Sequence, residues 1–299
     1  MANFGRRDFL KSAAGLGAVA ALGGTAALPA AAAVKRSATD WVTLGKSGVK
    51  VTRLAFGTGT FGGRVQRELG QAEFTKIVRH AYDRGIRFFE SADAYNEMHE
   101  MLAVALKGIP RDSYRLMTKM RLSEKDPVPA TLDRFRRELN SEYFDITLLH
   151  CVRTPDWSKT FEPLRDQFSA LKEKKVLLSH GASCHGLMPI RQFPGNQWLD
   201  IALCRINHSG ARMDTLPSEG PGLGDVKEVT GHLAKLHAQG TGVLGMKLVG
   251  EGQFKDPEAR QKSLNYVFGL GTVDAVTMGF KSTAEIDEAI ERINTALNA

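Results

Sequence analysis

From about residue 40 onward the chain alternates short apolar runs with stretches of helical period. Residues 41–44, a turn at 45–48 with glycine at both ends, and residues 49–52 predict a β-hairpin. Strand-like runs follow at 53–56, 86–89, 114–119, 144–150, 176–179, 201–206, 243–248 and 275–280. Between them, apolar residues recur on one helical face. Phe74, Ile77, Val78 and Ala81 form one stripe, closed by Gly85. Phe161, Leu164, Phe168 and Leu171 form a second, and Val226, Val229, Leu233 and Leu236 a third. Ile286, Ala289, Ile290 and Ile293 mark the last helix, with Ser282 or Thr283 as its cap. These stripes are core packing. Eight strand–helix units in roughly 260 residues predict an α/β fold, a closed (β/α)8 TIM barrel in one domain behind an N-terminal hairpin.

The segment ahead of the hairpin reads as an address. Arg6-Arg7-Asp8-Phe9-Leu10-Lys11 is a twin-arginine pattern, followed by a weakly apolar run from Ser12 to Leu28. Pro29 and the alanines 30–33 then offer an A-x-A cleavage site. The expected division is a twin-arginine signal peptide over 1–33 and the barrel over 34–299. Such a signal implies the twin-arginine export machinery as a partner, export in the folded state, and a periplasmic or secreted mature protein. No later stretch reaches the ~18 apolar residues of a membrane span, so no stable membrane anchor is expected.

Composition narrows the chemistry. Hydrophobic residues at 42% and charged ones at 24% exclude a disordered chain. The net charge of +7 sits partly on Arg6, Arg7 and Lys11, and elsewhere acids interleave with bases. No basic stripe marks a nucleic-acid surface. Three cysteines without a C-x-x-C pair exclude a disulfide scaffold and a ribbon-type metal site.

A barrel of this kind carries its chemistry at the C-terminal ends of its strands. Those ends hold Gly57-Thr58, Glu90 to Tyr95, Lys119, His150-Cys151, Ser183-Cys184-His185, Asn207-His208, Met246-Lys247 and Lys281-Ser282. An acid, a phenol, an ammonium and an imidazole would converge on one mouth, a set suited to carbonyl reduction. A developing alkoxide needs a proton donor within hydrogen-bond reach. Tyr95 can supply it, provided a nearby Lys119 lowers a phenol pKa of about 10. Glu90 would keep Lys119 charged and oriented, and His150 would position the carbonyl oxygen.

The segments VTLGKSGVKVTRLAFGTGTFGG, GIRFFESADAYNEMHEMLAVALKG, MTKM and FDITLLH resemble, in order and spacing, those of the aldo-keto reductases. The resemblance runs from about Trp41 to the C-terminus. It implies a barrel oxidoreductase that interconverts a carbonyl and an alcohol with NAD(P)(H), and a small-molecule carbonyl or alcohol substrate. By motif, Tyr95, Lys119 and His150 fall on the family's catalytic tyrosine, lysine and histidine. Glu90 falls where the family has aspartate, and Asp93 on its second, non-catalytic aspartate. Cofactor contacts are expected from Gly57, Thr58, Ser183, Cys184, Asn207, Met246, Lys247, Lys281, Ser282 and Glu285.

Several of these depart from the family pattern. Cys184 replaces an asparagine that, with the serine, holds the nicotinamide amide, and cysteine is the poorer hydrogen-bonding group. The glutamine of the sixth strand is Leu203 or Cys204. Met246 stands where many members stack a tyrosine, and Lys247 beside it could meet the diphosphate. Glu285 stands where an arginine often meets the 2′-phosphate, which gives a modest preference for NAD(H). Glu90 admits two accounts: the longer side chain reaches Lys119 after all, or its extra methylene spoils the pair.

Two other classes compete. His150, Cys151, Cys184, His185, Cys204 and His208 lie near the ends of neighbouring strands and could build a metal-dependent or redox-sensing barrel, although no pair has the spacing of a dedicated ligand motif. A Cys184–Cys204 disulfide is open in an oxidising compartment. A non-catalytic nucleotide- or ligand-binding barrel is the third reading. The stretch 210–225, rich in glycine and proline, is expected to form a flap.

Overall fold

A small antiparallel hairpin stands at the base of an eight-stranded barrel. The computed structural model describes residues 35–123, 125, 127–216 and 222–299. The signal segment 1–33 and part of the 210–225 stretch lie outside the described residues. Strands β1 (Trp41–Thr43) and β2 (Lys50–Thr52) pair with Trp41 opposite Thr52. The barrel begins with β3 (Leu54–Gly57), α1 (Arg64–Arg67), α2 (Gly70–Asp83), β4 (Phe88–Glu90) and α3 (Met98–Leu106). It continues through β5 (Arg115–Arg121), α4 (Val128–Glu138), β6 (Ile146–Val152), α5 (Trp157–Thr160) and α6 (Glu162–Glu173). Then come β7 (His180–Cys184), α7 (Leu187–Ile190), β8 (Ile201–Arg205) and α8 (Val226–Gln239). Strand β9 (Gly242–Met246), α9 (Pro257–Gly269), β10 (Ala275–Gly279) and α10 (Thr283–Leu297) complete it. All eight barrel strands are parallel, and β10 pairs with β3 to close the ring.

Strand periodicity splits the apolar residues into two cores. One residue set on the strands, Ala55, Phe88, Met117, Ile146, Leu148, Ile201, Leu203, Leu244 and Ala275, fills the barrel interior. The alternate set, among them Leu54, Phe56, Phe89, Leu116, Leu149, Ala202 and Val276, faces the helices. The helix stripes meet them there: Phe74, Ile77, Val78 and Ala81 are fully buried, as are Ile286 and Ile293. Of the two proposed caps for the last helix, Ser282 is the one used, its hydroxyl accepting from the Glu285 amide at 3.2 Å.

The hairpin closes the floor of the barrel. Leu44, Val49 and Val51 join the interior cluster beneath the strands. Gly45 (φ 48°) allows this close approach, since a Cβ there would lie 2.2 Å from the Gly240 carbonyl oxygen. The chain entering the hairpin is tied to the last helix. The Arg36 amide donates to Asn298 Oδ1 at 2.9 Å, Asn298 Nδ2 returns a bond to the Arg36 carbonyl at 2.8 Å, and the Ala38 amide donates to Asn294 Oδ1 at 2.7 Å.

The fifth barrel strand is not where its hydrophobicity predicts. Residues 176–179 are more apolar, yet only Leu177 makes an isolated bridge, to Phe144, and the strand itself is His180–Cys184. Packing overrides propensity here. A Cβ at Gly181 would lie 1.8 Å from the Ile201 carbonyl oxygen, so small residues are needed where β7 meets β8. The shift of β7 places Ser183 and Cys184 within the strand instead of after it, and the ends of the other barrel strands move by at most two residues, which places Gly57 within β3.

Removing the floor contact should be costly. Leu44→Ala is expected to lower unfolding stability by about 2–5 kcal/mol, whereas Leu223→Ala, at a side chain 72% exposed, should change it by less than about 0.5 kcal/mol. Urea denaturation of both variants checks this.

Candidate active site

The parity that fills the interior with aliphatic residues turns polar at its uppermost layer. On six of the eight strands, the residue two positions above an interior apolar one faces the mouth. Phe88 is followed by Glu90, Met117 by Lys119, Leu148 by His150, Leu203 by Arg205, Leu244 by Met246 and Ala275 by Thr277. Gly57 and Gly279, the last residues of β3 and β10, are paired and leave the rim open on that side.

Glu90 and Lys119 form a buried ion pair, 4% and 1% exposed. Lys119 Nζ donates to Glu90 Oε1 and, at 2.8 Å, to the Ser91 carbonyl. The other carboxylate oxygen, Oε2, accepts from Thr277 Oγ1 at 3.2 Å. Glu90 therefore reaches its lysine despite the extra methylene. Its neighbour in register is Gly57, where a Cβ would stand 2.9 Å from Oε2. The missing side chain makes room for the longer acid. Asp93 is occupied elsewhere, accepting the Arg121 amide at 3.1 Å and pairing with its guanidinium at 3.3 Å.

Tyr95 sits in the turn between β4 and α3. Its ring centroid is 4.8 Å from Lys119 Nζ and 5.5 Å from the His150 ring, which meets it edge-on. Gly59 leaves space for the hydroxyl, as a Cβ there would lie 2.5 Å from it. The expected lowering of the phenol pKa is not found. Burial pushes it well above the ordinary 10, and the Glu90 charge acts in the same direction. Lys119 cannot offset this because Glu90 already balances it, and burial lowers the lysine's own pKa. His150 is held neutral: burial, then Lys119, Arg121 and Arg153, bring its pKa down to about 3. Beyond it, His185 lies 6.4 Å ring to ring and is likewise depressed, to about 2, by burial and Arg205. A register irregularity between Leu149 and Val152, with Cys151 at φ 65°, interrupts β6 beside these imidazoles.

A groove of about 470 Å³ leads from Tyr95 and Lys119 along the ends of β9 and β10 to the start of α10. Leu203 and Met246 line its inner end, and Lys247, Lys255, Arg260, Lys281 and Arg292 bring cations to the rest. Lys247 pairs with Glu251, while Glu288 bridges Arg260 and Arg292. The α10 N-terminus opens at this groove through Lys281 and Glu285. The family's nicotinamide nucleotide fits these residues: an apolar inner end suits a ring, and cations with a helix N-terminus suit phosphates.

The expected cofactor contacts divide. Gly57, Met246, Lys247, Lys281 and Glu285 line the groove. Thr58, Ser183, Cys184, Asn207 and Ser282 do not. The Thr58 hydroxyl is bonded to Ser91, and Ser183 Oγ accepts the Cys151 amide at 2.7 Å. Cys184 is fully buried and its thiol faces the Gly186 carbonyl. Asn207 spends its amide on the Ala211 and Lys247 carbonyls, holding a loop. Ser282 caps its helix, and the Glu285 carboxylate accepts the Lys281 amide at 2.8 Å. The residues missed from sequence are Gly59, Leu203 as a groove wall, Thr277, Arg205, Arg260, Glu288 and Arg292. The two-residue parity along β8 and β10 was the available signal for Arg205 and Thr277.

The six histidines and cysteines do not assemble. Cys184 and Cys204 belong to the outer core, His150 and His185 face the mouth, and His208 packs on Phe254. All three cysteines are free thiols, so the Cys184–Cys204 disulfide is not formed. Among the described residues no three His, Cys, Asp or Glu side chains are placed to hold a metal ion.

A mouth bearing tyrosine, a lysine–carboxylate pair and histidine on a closed (β/α)8 barrel defines the class, and comparison with known proteins gives the family. The Aldo/keto reductase family model matches residues 53–266, and the model of the twin-arginine translocation pathway signal sequence matches residues 3–23. The chain belongs to the aldo/keto reductase family and carries a twin-arginine export signal at its N-terminus. "Probable aldo-keto reductase 1" of Glycine max is 27% identical over 126 residues, which are 38% of this chain and 36% of the relative. The chain thus matches little more than a third of that relative's length. Among solved structures, an aldo-keto reductase of Bacillus halodurans in its holo form has TM-score 0.66 at 17% identity, covering 86% of this chain and 95% of that one. An aldo/keto reductase of Klebsiella pneumoniae in complex with NADP and acetate has TM-score 0.60 at 14% identity, covering 86% and 90%. No helix among the described residues is long and apolar enough to cross a membrane.

The neutral state of His150 has a measurable consequence. Between its folded pKa of about 3 and the ~6.5 of a free histidine, the unfolded chain binds more protons. Stability therefore rises with pH across that window and is lost as pH falls below about 6.5. Going from about pH 7.5 to about pH 5 is expected to cost about 1–2 kcal/mol through this residue. Urea midpoints at the two pH values for wild type and His150→Gln test it; an equal pH dependence in both would show that His150 is not held neutral.

Proposed function

We propose that this protein is an exported NAD(P)H-dependent reductase that interconverts a small carbonyl compound and its alcohol, with Tyr95 as proton donor. The observation that carries the reading is the juxtaposition of Tyr95 with the buried Glu90–Lys119 pair and His150, at one end of a cation-lined groove. A nicotinamide nucleotide bound in that groove supplies the hydride. Tyr95 stays protonated at neutral and alkaline pH, so its hydroxyl holds the proton that the developing alkoxide requires. His150, being neutral, can donate one ring N–H to the carbonyl oxygen without carrying charge into the site. Lys119 keeps a cation within reach of the phenolate left after proton transfer, and Glu90 fixes its position.

The Klebsiella pneumoniae relative was solved with NADP, and the preference for NAD(H) rested on Glu285. That carboxylate is engaged with the Lys281 amide at the head of α10, which weakens any repulsion of a 2′-phosphate. The reading is therefore a nicotinamide nucleotide of either kind. The mature protein is proposed to begin near residue 34, ahead of the unit formed by residues 35–299.

Tyr95→Phe retains the ring and removes the acid. Carbonyl reduction is expected to fall by about 10²-fold or more, with nucleotide affinity, followed by fluorescence titration, nearly unchanged. Unaltered turnover would overturn the tyrosine mechanism. Glu90→Gln should also slow the reaction, because Lys119 loses its buried counter-charge. Full activity with an unchanged pH profile in that variant would make Glu90 scaffolding.

A further inference from the structure

Across the mouth from Tyr95, the rim carries a guanidinium that the proposed chemistry does not use. Arg205 ends β8 directly above Leu203, and Leu203 lines the groove. Strand parity therefore turns Arg205 toward the mouth. Its hydrogen bonding is incomplete. One terminal nitrogen donates to His185 Nδ1, the other reaches Asp214 Oδ1 at 3.4 Å, and the buried Nε has no partner. An unpaired buried donor is costly to keep. Asp214 is a distracted counter-ion, because the same Oδ1 accepts the Gly186 amide at 2.8 Å.

The surroundings favour an anion. Arg153, an exposed residue on the adjoining rim, has its Nε on the Cys151 thiol at 3.3 Å and forms no ion pair with a carboxylate among the described residues. Besides burial, the groups that depress His150 are Lys119, Arg121 and Arg153, and those that depress His185 are Arg205, the His150 ring, Lys247 and Arg153, all of them basic. Of the other carboxylates nearby, Glu90, Asp93 and Glu251 each face their own base, while the fully buried Asp214, whose Oδ2 has no partner, is the one counter-charge that reaches Arg205 among the described residues. An imidazole that accepts from Arg205 through Nδ1 carries its proton on Nε2, which leaves it a further donor.

We infer that the substrate reduced at Tyr95 carries a carboxylate remote from its carbonyl, and that Arg205, with His185 and Arg153 beside it, binds that carboxylate. A guanidinium fork suits the planar acid, which can take two parallel hydrogen bonds from it. The order of residues across the mouth bears on how far apart the two functional groups lie. Ring-to-ring steps of 5.5 Å and 6.4 Å and then a hydrogen bond separate Tyr95 from Arg205. Two rings thus stand between the phenol and the guanidinium, an arrangement that suits a carboxylate at the far end of an aromatic ring or a carbon chain. The inference rests on the reductase reading for the carbonyl end, while the acid end stands on Arg205.

The test uses 4-carboxybenzaldehyde and its methyl ester, which differ only in the remote charge. With wild-type protein and NADPH or NADH, kcat/KM for the acid is expected to exceed that for the ester by about tenfold or more. Arg205→Gln should bring the ratio near one, and Arg205→Lys should retain part of it. Equal use of acid and ester by the wild type, or an undiminished ratio in Arg205→Gln, overturns the proposal. Calorimetric binding of 4-(hydroxymethyl)benzoate and its methyl ester to the same proteins supplies a measurement independent of turnover. If neither aldehyde is reduced but the acid binds more tightly through Arg205, the anion site stands and the reductase reading falls. If acid and ester bind alike, the anion site falls whatever the turnover.

Discussion

The arrangement at the mouth depends on two opposite charges held inside a barrel otherwise packed with aliphatic and aromatic side chains. Removing either Glu90 or Lys119 from water carries a penalty of several kcal/mol, repaid only where the partner and the remaining hydrogen-bonding capacity are supplied. Here the Ser91 carbonyl takes a second proton of the ammonium, and Thr277 satisfies the second carboxylate oxygen. The pair therefore links β4, β5 and β10. Loss of one partner would leave an uncompensated charge under Tyr95. Gly57 is part of the same solution, because any side chain there would occupy the space used by the longer acid.

Burial explains the protonation states on either side. A phenol and an imidazole taken from water both retreat to their neutral forms, so Tyr95 keeps its proton and His150 does without a second one. Electrostatics from the lysine, which sequence reasoning makes the deciding influence on Tyr95, is subordinate to desolvation once Glu90 is in contact. Backbone strain gathers at the same end of the barrel. Phe61, Cys151, Lys247 and Glu251 all adopt positive φ, and each lies on a connection that follows a strand or continues within it near the mouth.

Much of this was legible in the chain. Alternation of apolar residues located seven of the eight barrel strands to within a few positions, and the helix stripes of α2 and α10 are buried as their spacing requires. The exception, β7, is built from His-Gly-Ala-Ser-Cys because its neighbour approaches too closely for larger residues, and such crowding has no hydrophobic signature. The mouth residues follow from position at strand ends. What hydrogen bonds they make does not follow from position. Ser183, Asn207 and Glu285 stand where cofactor contacts were expected, yet each is spent on the protein's own backbone. The role of Arg205 cannot be read from its position, because it depends on which partners the side chain lacks.

The bonds joining Arg36 and Ala38 to Asn294 and Asn298 bear on the order in which the molecule is completed. The stretch that leads from the export signal into the hairpin is fastened by side chains that leave the ribosome some 260 residues later. The hairpin pairs its own two strands locally, but its lead-in is secured only after α10 has been synthesised and docked. For a pathway that carries folded cargo, this makes the segment next to the signal an indicator of a finished barrel: a chain interrupted before residue 294 would present the same address on an unfastened lead-in.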